Sequence, residues 1–213
     1  MNKLLKLSIA LLLAIGNLSV QADTLSNVQA KGSLNCGVTT GLAGFSAVDK
    51  HHKWVGLDVD LCRAVAAATL GDSEKVKYIP LTAKERSIAL QSGEIDVLSR
   101  VTTWTLTRDA SLGLNFAGVN YYDGQGFMVK KDLGIKDASE LDGATFCVNK
   151  GTTTELNLAD YAKEQGFRYN TSMTDTIAQT KSNLEAGRCD ALTTDQSRLY
   201  ALRTTLKDPS SAI

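Results

Sequence analysis

The sequence predicts an α/β protein of two similar lobes, in which each lobe is a mostly parallel sheet flanked by helices. An internal repeat is the first observation. The decapeptide LQSGEIDVLS at residues 90–99 returns as LEAGRCDALT at residues 184–193, with leucine, glycine, aspartate and leucine in register. Each copy is typical of a helix that ends at a glycine before a short buried strand. Strand and helix patterns also alternate around both copies, which is typical of parallel sheets.

The first lobe begins with an apolar strand near residues 34–38. A helix opened by Asp58 follows. Its apolar periodicity predicts a buried stripe of Leu61, Ala64, Val65 and Ala68. Thr82 and Glu85 have the spacing of a capping box, so we expect a second helix that runs to Gly93.

The second lobe repeats this order with a strand near residues 144–148, followed by the sequence GTTTE at residues 151–155. Thr152 and Glu155 again have capping-box spacing, which predicts a helix start. The predicted buried stripe of this helix is Leu156, Ala159 and Ala162. A later strand ends at Asp195, and a further helix is expected after it.

The N-terminus is typical of a secretory signal peptide. Lys3 and Lys6 precede an apolar run at residues 7–18, and the segment VQA that ends at residue 22 has small residues at the positions a signal peptidase needs. The run is too short to span a bilayer comfortably, which disfavours an uncleaved anchor. We therefore predict a signal peptide at residues 1–22, lobe 1 at 23–119 and lobe 2 at 120–213.

The charge balance argues against nucleic-acid and membrane-surface partners. The chain has 23 basic and 23 acidic residues, and removing the two signal lysines leaves 21 basic residues against 23 acidic ones. Such a chain has no basic stripe for nucleic acid and no polybasic surface for a membrane. We expect an exported protein without stable membrane insertion.

The segment TTWTLTR at residues 102–108 predicts a carboxylate site, because it sets four threonine hydroxyls beside the guanidinium of Arg108 just after an apolar strand. An arginine fork binds a carboxylate in bidentate fashion, and hydroxyl groups complete its hydrogen bonds. The start of the helix at residues 151–155 adds free N–H groups and the hydroxyls of Thr152 and Thr153. A simple loop and a well-capped helix remain the alternative interpretations.

Asp195 supplies the opposite charge at the carboxyl end of a predicted parallel strand, the edge where ligands of open α/β sheets bind. A helix cap for the following segment is the alternative role of this residue. Together, Arg108, Thr153 and Asp195 match the charges of an α-amino acid zwitterion.

Catalytic and metal chemistry find little support in the sequence. The two histidines, His51 and His52, are adjacent in a lysine-flanked polar turn, which favours a solvated loop. No zinc-ligand spacing and no phosphate-binding loop of the Walker type occur, and Cys147 has no base near it in sequence. We expect no cofactor, no metal site and no catalytic residue.

At this level of detail the chain resembles the periplasmic solute-binding proteins of polar amino-acid ABC transporters (family 3 type), and most closely their general L-amino-acid-binding group. The segments that carry the resemblance are 56–64, 90–99, 102–127, 151–156 and 187–195. The resemblance implies a two-lobed periplasmic-binding-protein fold of type II, which closes on its ligand by hinge motion near Val119. It also implies a monomeric receptor that captures a free L-amino acid and delivers it to ABC transporter permease subunits.

The same resemblance assigns the site residues. Arg108 and Thr103 bind the ligand α-carboxylate, Thr153 joins from the second lobe, and Asp195 binds the α-ammonium group. The cleft-lining segment of the family corresponds to Phe45 and Ser46. Val101 stands where close relatives tend to have a polar residue.

Two further departures from the family concern selectivity and length. The chain lacks an acidic residue near Thr39 and an aromatic one near Ala83, so the resemblance does not carry a preference for cationic side chains. Members of the group continue well past the equivalent of Ile213, so we expect that lobe 2 is incomplete and that its return to lobe 1 is missing.

Four cysteines permit three disulfide pairings, and each predicted lobe contains two of them. We predict the pairings within the lobes, Cys36 with Cys62 and Cys147 with Cys189. Four buried thiols are the alternative.

Two other functions stay open from sequence. One is an exported enzyme of the cyclohexadienyl dehydratase type on the same fold, with Glu155 or Asp123 as its acid. The other is an extracytoplasmic sensor domain that passes its ligand state to a membrane kinase.

Overall fold

The structure is a computed structural model that describes residues 23–213, so the predicted signal peptide at residues 1–22 lies outside the described residues. The first part of the described chain contains α1 (Thr24–Lys31), β1 (Leu34–Val38), β2 (Ala47–Val48), β3 (Trp54–Val55), α2 (Leu57–Leu70), β4 (Val76–Pro80), α3 (Glu85–Gln91) and β5 (Val97–Leu98). A π-helical turn at Thr107–Ser111 follows.

The second part repeats the alternation of strand and helix. It contains β6 (Gln125–Val129), β7 (Thr145–Asn149), α4 (Thr153–Gln165), β8 (Asn170–Thr174), α5 (Ile177–Glu185), β9 (Ala191–Asp195) and α6 (Gln196–Arg203). Short 3-10 helices lie at Lys131–Leu133, Ala138–Leu141 and Pro209–Ser211.

Each part is built on its own sheet. The first sheet has the strand order β4-β1-β5 and is wholly parallel, and a small antiparallel pair, β2-β3, lies beside it. The second sheet has the order β6-β9-β7-β8, in which β7 is parallel to both β8 and β9, and β6 is antiparallel to β9. The predicted pair of mostly parallel sheets is therefore confirmed, whereas the predicted boundary between residues 119 and 120 stays a prediction.

The internal repeat is confirmed in atomic detail. The glycines that end α3 and α5, Gly93 and Gly187, both have positive φ angles, of 75° and 69°. The aspartate of each copy then accepts a hydrogen bond from the strand that neighbours its own strand in the sheet, β1 in the first lobe and β7 in the second. Asp96 accepts a hydrogen bond from the backbone N–H of Asn35 at 2.7 Å, and Asp190 accepts one from Thr145 at 2.8 Å.

The second sheet is covered by helices on both faces. Phe146 and Val148 of β7 pack with Leu158 of α4 on one face, while Cys147 packs with Leu184 of α5 and Leu199 of α6 on the other. Successive side chains of a strand point to opposite faces, so β7 serves both cores. Because both faces of β7 are buried, its sequence is a nearly continuous apolar run.

The predicted helix positions are confirmed, but the predicted buried faces are only partly right, since Ala162 is buried and Val65 packs against a core cluster while the other predicted residues are exposed. In α2 the buried apolar side chains are Val59, Cys62 and Ala66, whereas Leu61 is 39% exposed. In α4, Leu158 and Ala162 are buried and Leu156 is 67% exposed. Each helix offers more than one apolar stripe, with four alanines in α2 and two leucines on different sides of α4, and the packing of Cys62 and Leu158 decides the rotation of each helix.

The two predicted disulfides are present and stay within their lobes. Cys36 of β1 is bonded to Cys62 of α2, and Cys147 of β7 is bonded to Cys189, two residues before β9. Within residues 23–213, no helix combines the length and the apolarity that a bilayer crossing needs.

Candidate functional site

A cavity of about 370 Å³ lies between the two sheets and has walls from both parts of the chain. Its volume is within the range of small-molecule sites. Four of the seven residues that the sequence predicts as ligand-binding line it: Phe45, Thr103, Thr153 and Asp195. Phe45 and Thr103 belong to the first part of the described chain, and Thr153 and Asp195 belong to the second.

Thr103 and Thr153 join the two parts directly, because their hydroxyl oxygens are 3.1 Å apart and hydrogen-bonded. Thr153 is the first residue of α4, where backbone N–H groups have no partner inside the helix. A hydroxyl pair at a helix N-terminus suits an anionic group such as a carboxylate.

Arg108 lies behind this hydroxyl pair. Its Nη1 donates to the backbone carbonyl of Thr103 at 2.7 Å, and its side chain is buried within the π-helical turn. Burial lowers the pKa of Arg108, and the opposite charge of Asp195 acts to raise it. The guanidinium therefore backs the wall of the cavity and does not line it.

Asp195 ends β9 and lines the cavity. The alternative role as a helix cap does not apply, since among the described residues its side chain makes no capping hydrogen bond to α6. Burial raises the pKa of Asp195, and Arg198, whose Nη2 is 3.7 Å from Asp195 Oδ2, acts to lower it. A half-buried carboxylate that faces a cavity can bind a cationic group there.

Ser46 and Thr152 do not line the cavity. Ser46 is buried, where its hydroxyl accepts the backbone N–H of Thr39 at 3.0 Å and is hydrogen-bonded to the Thr39 hydroxyl at 2.7 Å. Thr152 donates to the carbonyl of Asn149 at 2.7 Å and accepts the N–H of Glu155 at 3.2 Å. The structure therefore gives the first a loop-bracing role and the second the role of a helix cap.

Two aromatic pairs form the apolar wall of the cavity. Phe45 meets Tyr121 edge to face, with ring centroids 5.5 Å apart, and Trp104 stacks on Phe116 at 5.0 Å. Edge-to-face and stacked arrangements are the ones that aromatic rings prefer.

Sequence reasoning missed the charged residues around this site. Three further buried arginines, Arg86, Arg100 and Arg198, lie near Arg108, and Asp58 is a buried acid that lines the cavity. Burial lowers the pKa of Arg100 to about 9, and the neighbouring Arg198 adds to the effect. The position of Arg100 could have been used to predict it. Arg100 follows the carboxyl end of β5 by two residues, and Asp195 is predicted as a site residue because it lies at the carboxyl end of a strand.

The two candidate acids of the enzyme hypothesis have structural partners. Glu155 accepts the backbone N–H of Gly151 at 2.8 Å, next to the cap of α4. Asp123 accepts the hydroxyl of Ser197 and the N–H of Gly124. Within residues 23–213, no group of three or more His, Cys, Asp or Glu side chains is arranged to hold a metal ion.

Two α/β lobes on either side of one cavity have the architecture of a two-lobed solute-binding protein. The sequence model of the bacterial extracellular solute-binding proteins, family 3, matches residues 34–181, and the chain belongs to this family. The two-lobed periplasmic-binding-protein fold of type II, predicted from the sequence, is thereby confirmed.

Relatives and solved structures agree with this membership. The chain is 58% identical, over its whole length and 62% of the relative's, to the general L-amino acid-binding periplasmic protein AapJ of Rhizobium johnstonii. It is 51% identical, over 92% of its length and 58% of the relative's, to the glutamate/glutamine/aspartate/asparagine-binding protein BztA of Rhodobacter capsulatus. An ABC transporter periplasmic binding protein from Brucella ovis with glutathione bound superposes with a TM-score of 0.86 at 55% identity, covering 91% of this chain and 61% of that one. The chain thus spans about 60% of the length of these relatives.

Proposed function

We propose that this protein is an extracytoplasmic receptor that captures a free L-amino acid between its two lobes and delivers it to the permease of an ABC transporter. One observation carries the proposal. The carboxylate of Asp195 lines the cavity from the second lobe, and the buried cation Arg108 of the first lobe lies behind the wall residue Thr103. Opposite charges on the two sides of a cavity complement a zwitterion.

The proposed contacts follow from this geometry. The α-carboxylate lies at the hydroxyls of Thr103 and Thr153, with the Arg108 guanidinium behind them. The α-ammonium group lies at Asp195, and the side chain of the ligand faces the aromatic wall that includes Phe45.

The relatives support the remaining parts of the proposal. AapJ and BztA bind amino acids by name, and the matching family is one of extracellular solute-binding proteins, so a receptor is favoured over a dehydratase-like enzyme. AapJ is named as a periplasmic protein, which supports export to the periplasm behind a signal peptide at residues 1–22. The monomeric state, the identity of the permease and the choice among amino acids are part of the proposal.

Calorimetric titration of the full-length protein with L-amino acids tests the assignment. Arg108→Ala should weaken binding by about 2–5 kcal/mol, roughly 30-fold to several thousand-fold in Kd, because a desolvated carboxylate loses its charged partner. Arg168→Ala, at an exposed arginine of the second lobe, is the matched control and should bind as the unaltered protein does. Equal affinity of the Arg108→Ala variant and the control would contradict the proposed carboxylate site.

A further inference from the structure

Asp58 is a buried acid that the proposed ligand contacts do not use. It belongs to the sequence GLDVD at residues 56–60, in one of the segments that carry the family resemblance. The residue lies in the first turn of α2, is 2% exposed and forms part of the wall of the large cavity. A buried carboxylate is costly unless neighbouring groups compensate its charge. The groups that face Asp58 therefore indicate what it does.

The backbone around Asp58 holds one wall of the cavity. Its N–H donates to the carbonyl of Phe45 at 2.9 Å. Gly56, just before the helix, has a φ angle of 122°, and a Cβ atom there would lie 2.6 Å from the carbonyl carbon of Phe45. Only glycine permits so close an approach. The disulfide from Cys62, one turn further along α2, to Cys36 fixes this helix start to β1, so the position of Phe45 is fixed as well.

The carboxylate of Asp58 faces a second wall. The hydroxyl of Ser99, next to the end of β5, donates to Oδ1 at 3.3 Å. Burial raises the pKa of Asp58, and hydrogen bonding from Ser99, the side chain of Asn120 and the backbone of Val101 acts to lower it. The contacts of the last two are loose, since Oδ2 has no partner of good geometry among residues 23–213. The carboxylate thus lies between the chain that follows β5 and the chain that leads to β6.

Val101 has a backbone conformation that needs support. Its φ angle is +37°, a region that β-branched residues rarely adopt. The next two residues, Thr102 and Thr103, also line the cavity, and Thr103 is one of the residues proposed to bind the ligand α-carboxylate. A costly backbone conformation persists only where the surrounding structure holds it. Relaxation of residue 101 would displace this threonine wall.

We propose that Asp58 is a positioning residue for amino-acid binding. Its carboxylate, through Val101 and Asn120, holds the threonine wall in the conformation that binds the α-carboxylate of the ligand. Its backbone holds the opposite wall at Phe45. Asp58 acts through these neighbours and makes no bond to the ligand. The inference rests on the proposed function, because it concerns the same cavity.

Asp58→Asn tests the role, since it keeps the size of the side chain and an acceptor for Ser99 but removes the charge. Calorimetric titration of the full-length protein with the protein L-amino acids should show about 5- to 50-fold weaker binding, because the ligand must then impose the strained conformation itself. The factor should be similar for different amino acids, since they share the α-carboxylate. The Tm should stay the same or rise, because the buried charge is gone. A purely structural residue would lower the Tm and leave the affinity of the folded protein unchanged.

Val101→Asn tests whether Asp58 acts through the backbone. Asparagine adopts positive φ angles more readily than valine, so residue 101 then needs less support. In a protein that already carries Val101→Asn, the further change Asp58→Asn should weaken binding by less than about 3-fold. Equal losses in both backgrounds would contradict an action through Val101.

Asp60→Asn is the matched control. Asp60 belongs to the same helix turn, but its mostly exposed carboxylate pairs with Arg63 at 3.1 Å, so this variant should bind as the unaltered protein does. If Asp58→Asn does not fold, Asn120→Ala replaces it as the test. Asn120 is exposed, and its loss should weaken binding about 2- to 10-fold.

The inference is overturned if Asp58→Asn, or Asn120→Ala in its place, binds amino acids as tightly as the Asp60→Asn control. That result leaves the proposed receptor function intact. Failure of the unaltered protein to bind any amino acid would instead reject the proposed function itself.

Discussion

Val101 is the residue at which the backbone of the cleft is under most strain. Its φ angle is +37°, a region that β-branched residues rarely adopt, and it lines the large cavity. Strained residues of this kind cluster at ligand sites and carry a cost of about 1–3 kcal/mol.

Val101→Asn should therefore stabilise the ligand-free protein, because asparagine tolerates positive φ angles. We expect the free energy of unfolding to rise by about 1 kcal/mol, which corresponds to about 2–4 °C in Tm. Thermal unfolding measures the change. His52→Asn is the control, since His52 also has a positive φ angle, of 61°, but histidine already tolerates this region and the substitution should change the Tm little. A lower Tm for Val101→Asn would show that the conformation is not strained.

The proposed role of Asp195 predicts that amino-acid binding depends on pH. Burial raises the pKa of Asp195 above 3.8, so the carboxylate becomes protonated at a higher pH than an exposed one would. A protonated Asp195 cannot pair with an ammonium group, so affinity should be full at neutral pH and fall as the pH decreases toward the raised pKa. Glutamine is the suitable ligand, since its side chain does not titrate.

Calorimetry between pH 7 and pH 4 should show this decline for the unaltered protein. The Asp195→Asn variant should bind glutamine weakly at neutral pH and show a flatter profile. A profile with the same slope in both proteins would assign the pH dependence to another group, such as the buried Asp58.

At the scale of elements, the disulfides fix how helix and strand meet in each lobe. The bond from Cys147 to Cys189 spans 42 residues and ties β7 to the segment before β9. The bond from Cys36 to Cys62 spans 26 residues and sets the buried face of α2. The pairing could be predicted because the repeat divides the chain into lobes that hold two cysteines each.

Replacing Cys147 and Cys189 together by alanine should lower the free energy of unfolding by about 4 kcal/mol, since the unfolded chain regains the freedom of the longer loop. The same change at Cys36 and Cys62 should cost about 3.5 kcal/mol because its loop is shorter. Urea denaturation measures both. Four reactive thiols in the denatured, unreduced protein would contradict both pairings.

The sequence was a better guide to the helices than to their faces. Helix starts are local events, and Thr82 with Glu85 makes both bonds of the predicted capping box, at 2.8 and 3.4 Å. The buried face of a helix depends instead on what packs against it. Leu156 and Leu158 are the same residue type in the same helix, yet the first is exposed and the second is buried against Phe146.

At the scale of the whole molecule, few polar contacts hold the lobes together across the cleft. They include the bond between Thr103 and Thr153 at 3.1 Å and a long bond from Arg86 Nη2 to the carbonyl of Gly151 at 3.3 Å. Such contacts contribute about 0.5–3 kcal/mol each, the larger value applying to the charged Arg86. A bound ligand would therefore supply much of the free energy that keeps the cleft closed.

Binding of an amino acid should close the two lobes of the full-length protein and stabilise its fold. At a ligand concentration of 100 times Kd, the free energy of unfolding rises by about 2.7 kcal/mol, which corresponds to about 5–11 °C in Tm. Small-angle scattering should show a smaller radius of gyration in the same sample. The Asp195→Asn variant at the same ligand concentration is the control. A rise in Tm without compaction would mean that binding does not close the lobes.

The sequence by itself determined the family, the two-lobed α/β plan, the disulfide pairs and four residues of the cavity wall, because each of these leaves a local or repeated pattern in the chain. Only the tertiary structure decided that Arg108 lies behind Thr103 and that Ser46 and Thr152 face away from the cavity. It alone brought Arg100 and Arg198 together, 98 positions apart in the sequence. Charged side chains of the two lobes become neighbours only after both sheets have folded and packed together. Their proximity therefore cannot be predicted from their spacing in the sequence.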